Sequence, residues 1–156
     1  MTTRSTITSG AADRGTALWL AGVLLFPASQ AVAQIDRDQD AKLNAKAVLV
    51  SVRLHYLTHQ SYAGVFSKQL KDKNPDLRFV DDGPSAHPAV ISVKVVSSQH
   101  LRMAVYGGKT CWGVREEGRH GGVATLYARR QGPSSDCKAT SFKDADFREH
   151  ELAWSR

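Results

Sequence analysis

From Asp36 to Thr58 the chain contains neither Gly nor Pro, and within that span Leu43, Ala47, Val50, Leu54 and Leu57 recur at alternating steps of four and three residues. That spacing predicts an α-helix with one apolar stripe. Asp36, Asp38 and Asp40 open the span, with Lys42, Lys46 and Arg53 further along, an order that suits the helix dipole if the helix begins near Asp36. Val48, Val52 and Tyr56 make a second stripe beside the first, so the C-terminal half should pack against another layer, for which a sheet is the candidate. The Leu43, Ala47, Val50, Leu54, Leu57 stripe is expected to be the core face. Leu54→Asp would then bury an unpaired charge and cost several kcal/mol.

Beyond Gln60-Ser61-Tyr62-Ala63-Gly64, which ends this helix, Val65 to Lys73 predicts a short second helix stopping at Asn74-Pro75. An irregular connection leads to the turn cluster Asp81-Asp82-Gly83-Pro84-Ser85, and there the pattern changes to a strand period. Ala89 to Val96 and Leu101 to Tyr106 predict a hairpin about Ser97-Ser98-Gln99-His100. Gly107-Gly108 turns into a third strand, Lys109 to Arg115, and Val123 to Arg129 gives a fourth. Glu116 to Gly122 is expected to be a mobile, polar hairpin loop. The fold class is therefore α+β: a long N-terminal helix on an antiparallel meander of about four strands. No internal repeat is visible.

The uncharged run Ala17 to Phe26 follows Arg4 and Arg14 and precedes Pro27-Ala28-Ser29-Gln30 and Ala31-Val32-Ala33. Crossing a bilayer takes about 20 apolar residues, so this shorter run with its small-residue end has the form of an export signal cut between Ala33 and Gln34. Residues 1–33 are then a leader and 34–156 a single globular domain. Removing the leader leaves 19 basic against 14 acidic residues, a net charge of +5. No run of five or six basic residues exists, so only weak association with polyanions is expected. Cys111 and Cys137 are the only cysteines, and in an exported, oxidising setting they are expected to form one disulfide. A free catalytic thiol or half a metal site are the competing readings; neither finds a CxxC pair or a second pair of ligands.

A helix, a loop, a meander and a cysteine bridge that clips the C-terminal segment to the sheet together resemble the type IV pilin and pseudopilin family. Gln39-Asp40-Ala41-Lys42-Leu43-Asn44-Ala45 resembles the stretch of pilin helix that leaves the membrane, and Tyr62 followed by Gly64 the aromatic and glycine at its end. Pro75-Asp76-Leu77, Val90 to Val96, Gly107 to Trp112, and Ala124 to Tyr127 before Cys137 resemble later strands of such domains. Asp13-Arg14-Gly15 resembles the residues before a prepilin peptidase cut, which would leave Thr16 first. The family's Phe and Glu after that cut are replaced in Thr16-Ala17-Leu18-Trp19-Leu20. In the family the Glu is thought to neutralise a neighbouring subunit's N-terminal amine. The resemblance implies an exported, surface-associated protein that works by assembly, adhesion or secretion-system binding with protein partners, among them other pilin-like subunits. Thr16 at the mature N-terminus would mark prepilin-type processing, and Gln34 general signal cleavage.

Signs of chemistry are few. His55 and His59 share a helix face at metal-ligand spacing, but Tyr56 stands where HExxH requires Glu. The Gly-Gly pairs at 107 and 121 lack phosphate-loop or dinucleotide context, and Ser134-Ser135-Asp136 has no placed histidine. Arg102, Lys109, Arg115, Arg119, Arg129 and Arg130, interleaved with Tyr106, Trp112 and Tyr127, form either a polyanion-binding or an ordinary solvated sheet face. No catalytic residue, metal or cofactor is assigned. The expectation is a non-enzymatic pilin-like protein, with a small secreted binding or inhibitory module as the alternative and a secreted hydrolase or metal enzyme behind it.

Overall fold

The structure is a computed structural model that describes residues 26–149, with side chains from residue 36 onward. Helix α1 spans Phe26–His59 and helix α2 Ser67–Lys73; strands β1 (Arg78–Asp81), β2 (Val90–Ser97), β3 (His100–Tyr106), β4 (Thr110–Arg119) and β5 (Gly122–Gln131) follow. They form one sheet in the order β1-β2-β3-β4-β5. Helix and meander are as expected, and the fold is α+β. The sheet gains a fifth strand, since β1 runs parallel to β2 with Arg78 opposite Val90. In the sequence that segment reads as irregular, because four residues with two half-buried side chains show no usable alternation.

α1 begins ten residues before the expected start. Pro27 falls in its first turn, where a missing N–H costs no hydrogen bond. Asp36, Asp38 and Asp40 therefore lie in the helix interior rather than at its positive end, and Asp38 instead accepts a hydrogen bond from Trp112 Nε1 at 3.2 Å. The helix stops where Gln60 turns to a φ of 52°. Ala33 and Gln34 lie within the helical backbone of α1, whereas Gly15, Thr16 and the run up to Leu25 lie outside the described residues. Among the described residues no helix is long and apolar enough to cross a membrane.

The two sides of the sheet are covered differently, as the alternation of strand side chains requires. Toward α1 point Ile91, Val93, Leu101, Met103, Val105, Trp112 and Val114, which meet Ala41, Ala45, Val48, Leu49, Val52 and Tyr56 of the helix. Tyr56 reaches the end of β4 because residue 118 is Gly: a Cβ there would sit 2.1 Å from the Tyr56 hydroxyl oxygen. On the opposite side Ala104, Cys111 and Ala128 pack with Cys137, Phe142 and Phe147 of the C-terminal segment. Gly113 makes the same allowance here, since a Cβ on it would lie 2.7 Å from the Phe142 ring.

Cys111 and Cys137 are disulfide-bonded, with Cα atoms 5.4 Å apart and a separation of 26 residues. Closing a loop of that length stabilises the fold by about 3.5 kcal/mol in the chain-entropy model, and such a bridge suits an oxidising, extracytoplasmic compartment. The clipped segment is tied down further by hydrogen bonds from Ser85 N to Cys137 O at 2.8 Å and from Ala139 N to the buried Ser92 Oγ at 2.9 Å. Asp144 then receives both Arg102 and Arg115. Helix in front, disulfide-clipped segment behind: this α+β arrangement is consistent with a pilin-like fold.

Candidate interaction surface

The Leu43, Ala47, Val50, Leu54, Leu57 stripe does not form the core. Leu43 is 53% exposed, Val50 69%, Leu54 55% and Leu57 58%, and Ala47 is exposed as well. The face on the sheet is the other set, which lies on the opposite side of the helix rather than beside the stripe, with Ala41, Val48 and Val52 at 0% and Ala45, Leu49 and Tyr56 close to it. At 3.6 residues per turn the two sets point roughly 180° apart. The buried set won because its Ala41 and Ala45 let the helix backbone come close to the sheet while Val48, Val52 and Tyr56 fill the space beyond. Leucines at Leu43 and Leu54 have no facing pocket. α1 is thus apolar on two opposite sides, and one of them faces solvent.

What fixes this rotation is a polar cluster at the helix–sheet interface. Trp112, Val114 and Glu116 alternate along β4 toward α1, and Glu116 is fully buried. Its carboxylate accepts hydrogen bonds from Arg53 Nε at 3.2 Å and Nη2 at 3.3 Å and from the Thr125 hydroxyl of β5. Arg53 also donates to Thr125 Oγ1. Burial pushes the Glu116 carboxyl above the usual carboxylate range, against the downward pull of Thr125 and Arg53. Burial also works to lower the Arg53 guanidinium, but its hydrogen bonds to Glu116 and that group's charge win and raise it. The Tyr62 phenol is driven upward by burial first and by Glu116 second, and its hydroxyl has no hydrogen-bond partner among the described residues.

This cluster overturns the expected Glu116 to Gly122 loop. β4 continues to Arg119 and β5 begins at Gly122, with Arg119 paired to Gly122 across a tight turn. In the sequence Glu116 reads as part of a polar loop because charged residues seldom lie inward. The signal that would have found it is the unbroken two-residue alternation Trp112, Val114, Glu116.

The remaining candidates are placed without a shared site. His55 and His59 stack with ring centroids 4.3 Å apart, and His59 Nδ1 lies 2.9 Å from the His55 carbonyl oxygen. They line a cleft of about 300 Å³ between α1 and α2 together with Ser51, Gln69, Asp72 and Lys73. Among the described residues no three metal-ligating side chains come together. Of the basic strand residues, Arg102 and Arg115 pair with Asp144, Arg115 and Arg119 with Glu117, and Arg130 with Asp136. Trp112 is core, with the Lys42 ammonium 4.2 Å from its ring centroid.

Phe66 and Val96 are also exposed, but the outward stripe of α1 is a row, and soluble monomers seldom expose a contiguous apolar row of this kind. No known protein family, curated protein or solved structure matches the chain.

Proposed function

We propose that this chain is an exported, non-enzymatic, pilin-like protein that acts by assembling with protein partners at the cell surface through the outward face of α1. The observation that carries this reading is the exposure of Leu43, Val50, Leu54 and Leu57 on a helix that is already anchored by its other side. A side chain such as Leu54 contributes up to about 1.5 to 3 kcal/mol when it passes from water into a packed interface, so four in a row supply the core of a contact. The disulfide and the clipped C-terminal segment support an extracytoplasmic setting, in which a bridge between Cys111 and Cys137 persists.

The test is fractionation of cells producing the full chain, wild type against a Val50→Glu/Leu54→Glu variant. The wild type is expected with the high-mass surface or envelope fraction, and the variant is expected as a folded, released monomer. A wild-type protein that fractionates as a monomer, indistinguishable from the variant, would contradict the assembly reading.

A further inference from the structure

We propose that export leaves Gln34 as the first residue of the protein and that this glutamine then closes on its own α-amine to form pyroglutamate, so that the chain outside the cell carries no N-terminal charge. This rests on the reading of the chain as exported and adds the bond that is cut and the chemistry that follows.

Two independent features place the cut. In the sequence, Ala31 and Ala33 set small side chains three and one positions before Gln34, downstream of the uncharged run Ala17 to Phe26, which is the order a signal peptidase reads. In the structure, α1 runs through this point from Phe26 to His59, and its first turn contains no acid. Cut before Gln34, the same helix begins Gln34-Ile35-Asp36-Arg37, so Asp36 falls in its first turn and Asp38 opens the second. A carboxylate there faces the positive end of the helix dipole, where it stabilises the helix. The cut also leaves the described packing intact. Asp36, Arg37, Gln39 and Asp40 are exposed, and the side chains that anchor α1 on the sheet start at Ala41.

An N-terminal glutamine holds a nucleophile and an electrophile in one residue. In its unprotonated form the α-amine, whose ordinary pKa is about 7.7 to 8.0, attacks the side-chain amide carbon Cδ. The Cδ–Nε2 bond breaks, a hydrogen from the amine leaves with that nitrogen, and ammonia is released. No oxidant, metal or cofactor is consumed. The five-membered lactam that remains keeps one N–H and has no charge. An ammonium at this position would oppose the helix dipole, and the lactam does not. It also denies aminopeptidases the free amine they require, which suits a chain that persists outside the cell. Thr16, the residue left by a cut after Gly15, has no side-chain amide and cannot close in this way.

The test is mass spectrometry of the protein recovered from the exported fraction of cells producing the full chain. The N-terminal peptide is expected to start at residue 34 and to be lighter than the unmodified sequence by about 17 Da, the mass of ammonia. Edman degradation should yield nothing until pyroglutamyl aminopeptidase has acted, and should then begin at Ile35. Gln34→Ala should be cut at the same bond but keep its amine, so that it sequences at once from residue 34. A wild-type protein that begins at Gln34 with its full mass and sequences directly overturns the modification and leaves the export reading standing. One that begins at Thr16 overturns the proposal in favour of prepilin-type processing, again with export intact. A chain that keeps residues 1–33 and stays in the cytoplasmic fraction defeats both the proposal and the export reading.

Discussion

Val52→Asp should leave little folded protein, whereas Leu54→Asp, two residues further along the same helix, should melt within about 4 °C of the wild type. Val52 is fully buried against the sheet. Replacing it forfeits about 1.5 to 3 kcal/mol of apolar burial and places a carboxylate among Val48, Tyr56 and the β3 and β4 side chains with no partner, which costs several kcal/mol more. Together these approach the whole margin of about 5 to 15 kcal/mol that a domain of this size has. Leu54 is 55% exposed, so its replacement changes little beyond helix propensity, about 0.5 kcal/mol. Thermal melting followed by circular dichroism checks both. Equal losses would mean that α1 sits on the sheet by another face.

The second large effect concerns the buried carboxylate. Arg53→Ala should cost about 1 to 3 kcal/mol near neutral pH, because it removes the counter-charge of Glu116, which is 0% exposed, while Arg53 itself is 44% exposed and Thr125 still donates to the carboxylate. The loss should depend on pH in a particular sense. Burial already raises the Glu116 carboxyl above its ordinary value of 4.5, so the folded state holds this proton more firmly than the unfolded state does. A group of that kind lowers stability as pH rises from the unfolded pKa through the folded one, and its penalty is absent below 4.5. Without Arg53 the folded pKa moves further up and the penalty grows. Urea unfolding should therefore find the Arg53→Ala protein much closer to wild type in mild acid than at neutral pH. Adding Glu116→Gln should remove most of that extra pH dependence. A pH-independent loss in Arg53→Ala would contradict the account, since it would point to packing rather than to the stranded charge.

The helix, the short α2, the β2–β3 hairpin, the β4–β5 pair and the cysteine bridge were legible because each rests on local pattern or simple chemistry. Gly and Pro mark turns, β-branched residues alternate, and two cysteines in an oxidising compartment pair. Which side of α1 faces the sheet was not legible. Leu43, Ala47, Val50, Leu54, Leu57 and Ala41, Ala45, Val48, Val52, Tyr56 are both apolar sets at helical spacing, and hydrophobicity alone favours the leucines. The decision lies in distant partners: Asp38 with Trp112, Arg53 with Glu116, and Tyr56 over Gly118 all rotate the helix the same way. The same distance between partners hid Glu116, whose place in the strand makes sense only once Arg53 and Thr125 are seen beside it. The candidate surface was thus visible in the sequence as a stripe and misassigned to the interior.

The central claim is that one apolar side of α1 builds the domain and the opposite side is reserved for a partner. The most direct measurement is the rate of maleimide labelling of Leu54→Cys and Val52→Cys variants, taken on the purified protein and again on the assembled cell-surface fraction. In the purified protein Leu54→Cys should label rapidly and Val52→Cys only on unfolding; in the assembled fraction Leu54→Cys should become protected. Rapid labelling of Leu54→Cys in both states, or its protection in the isolated protein, would contradict the claim.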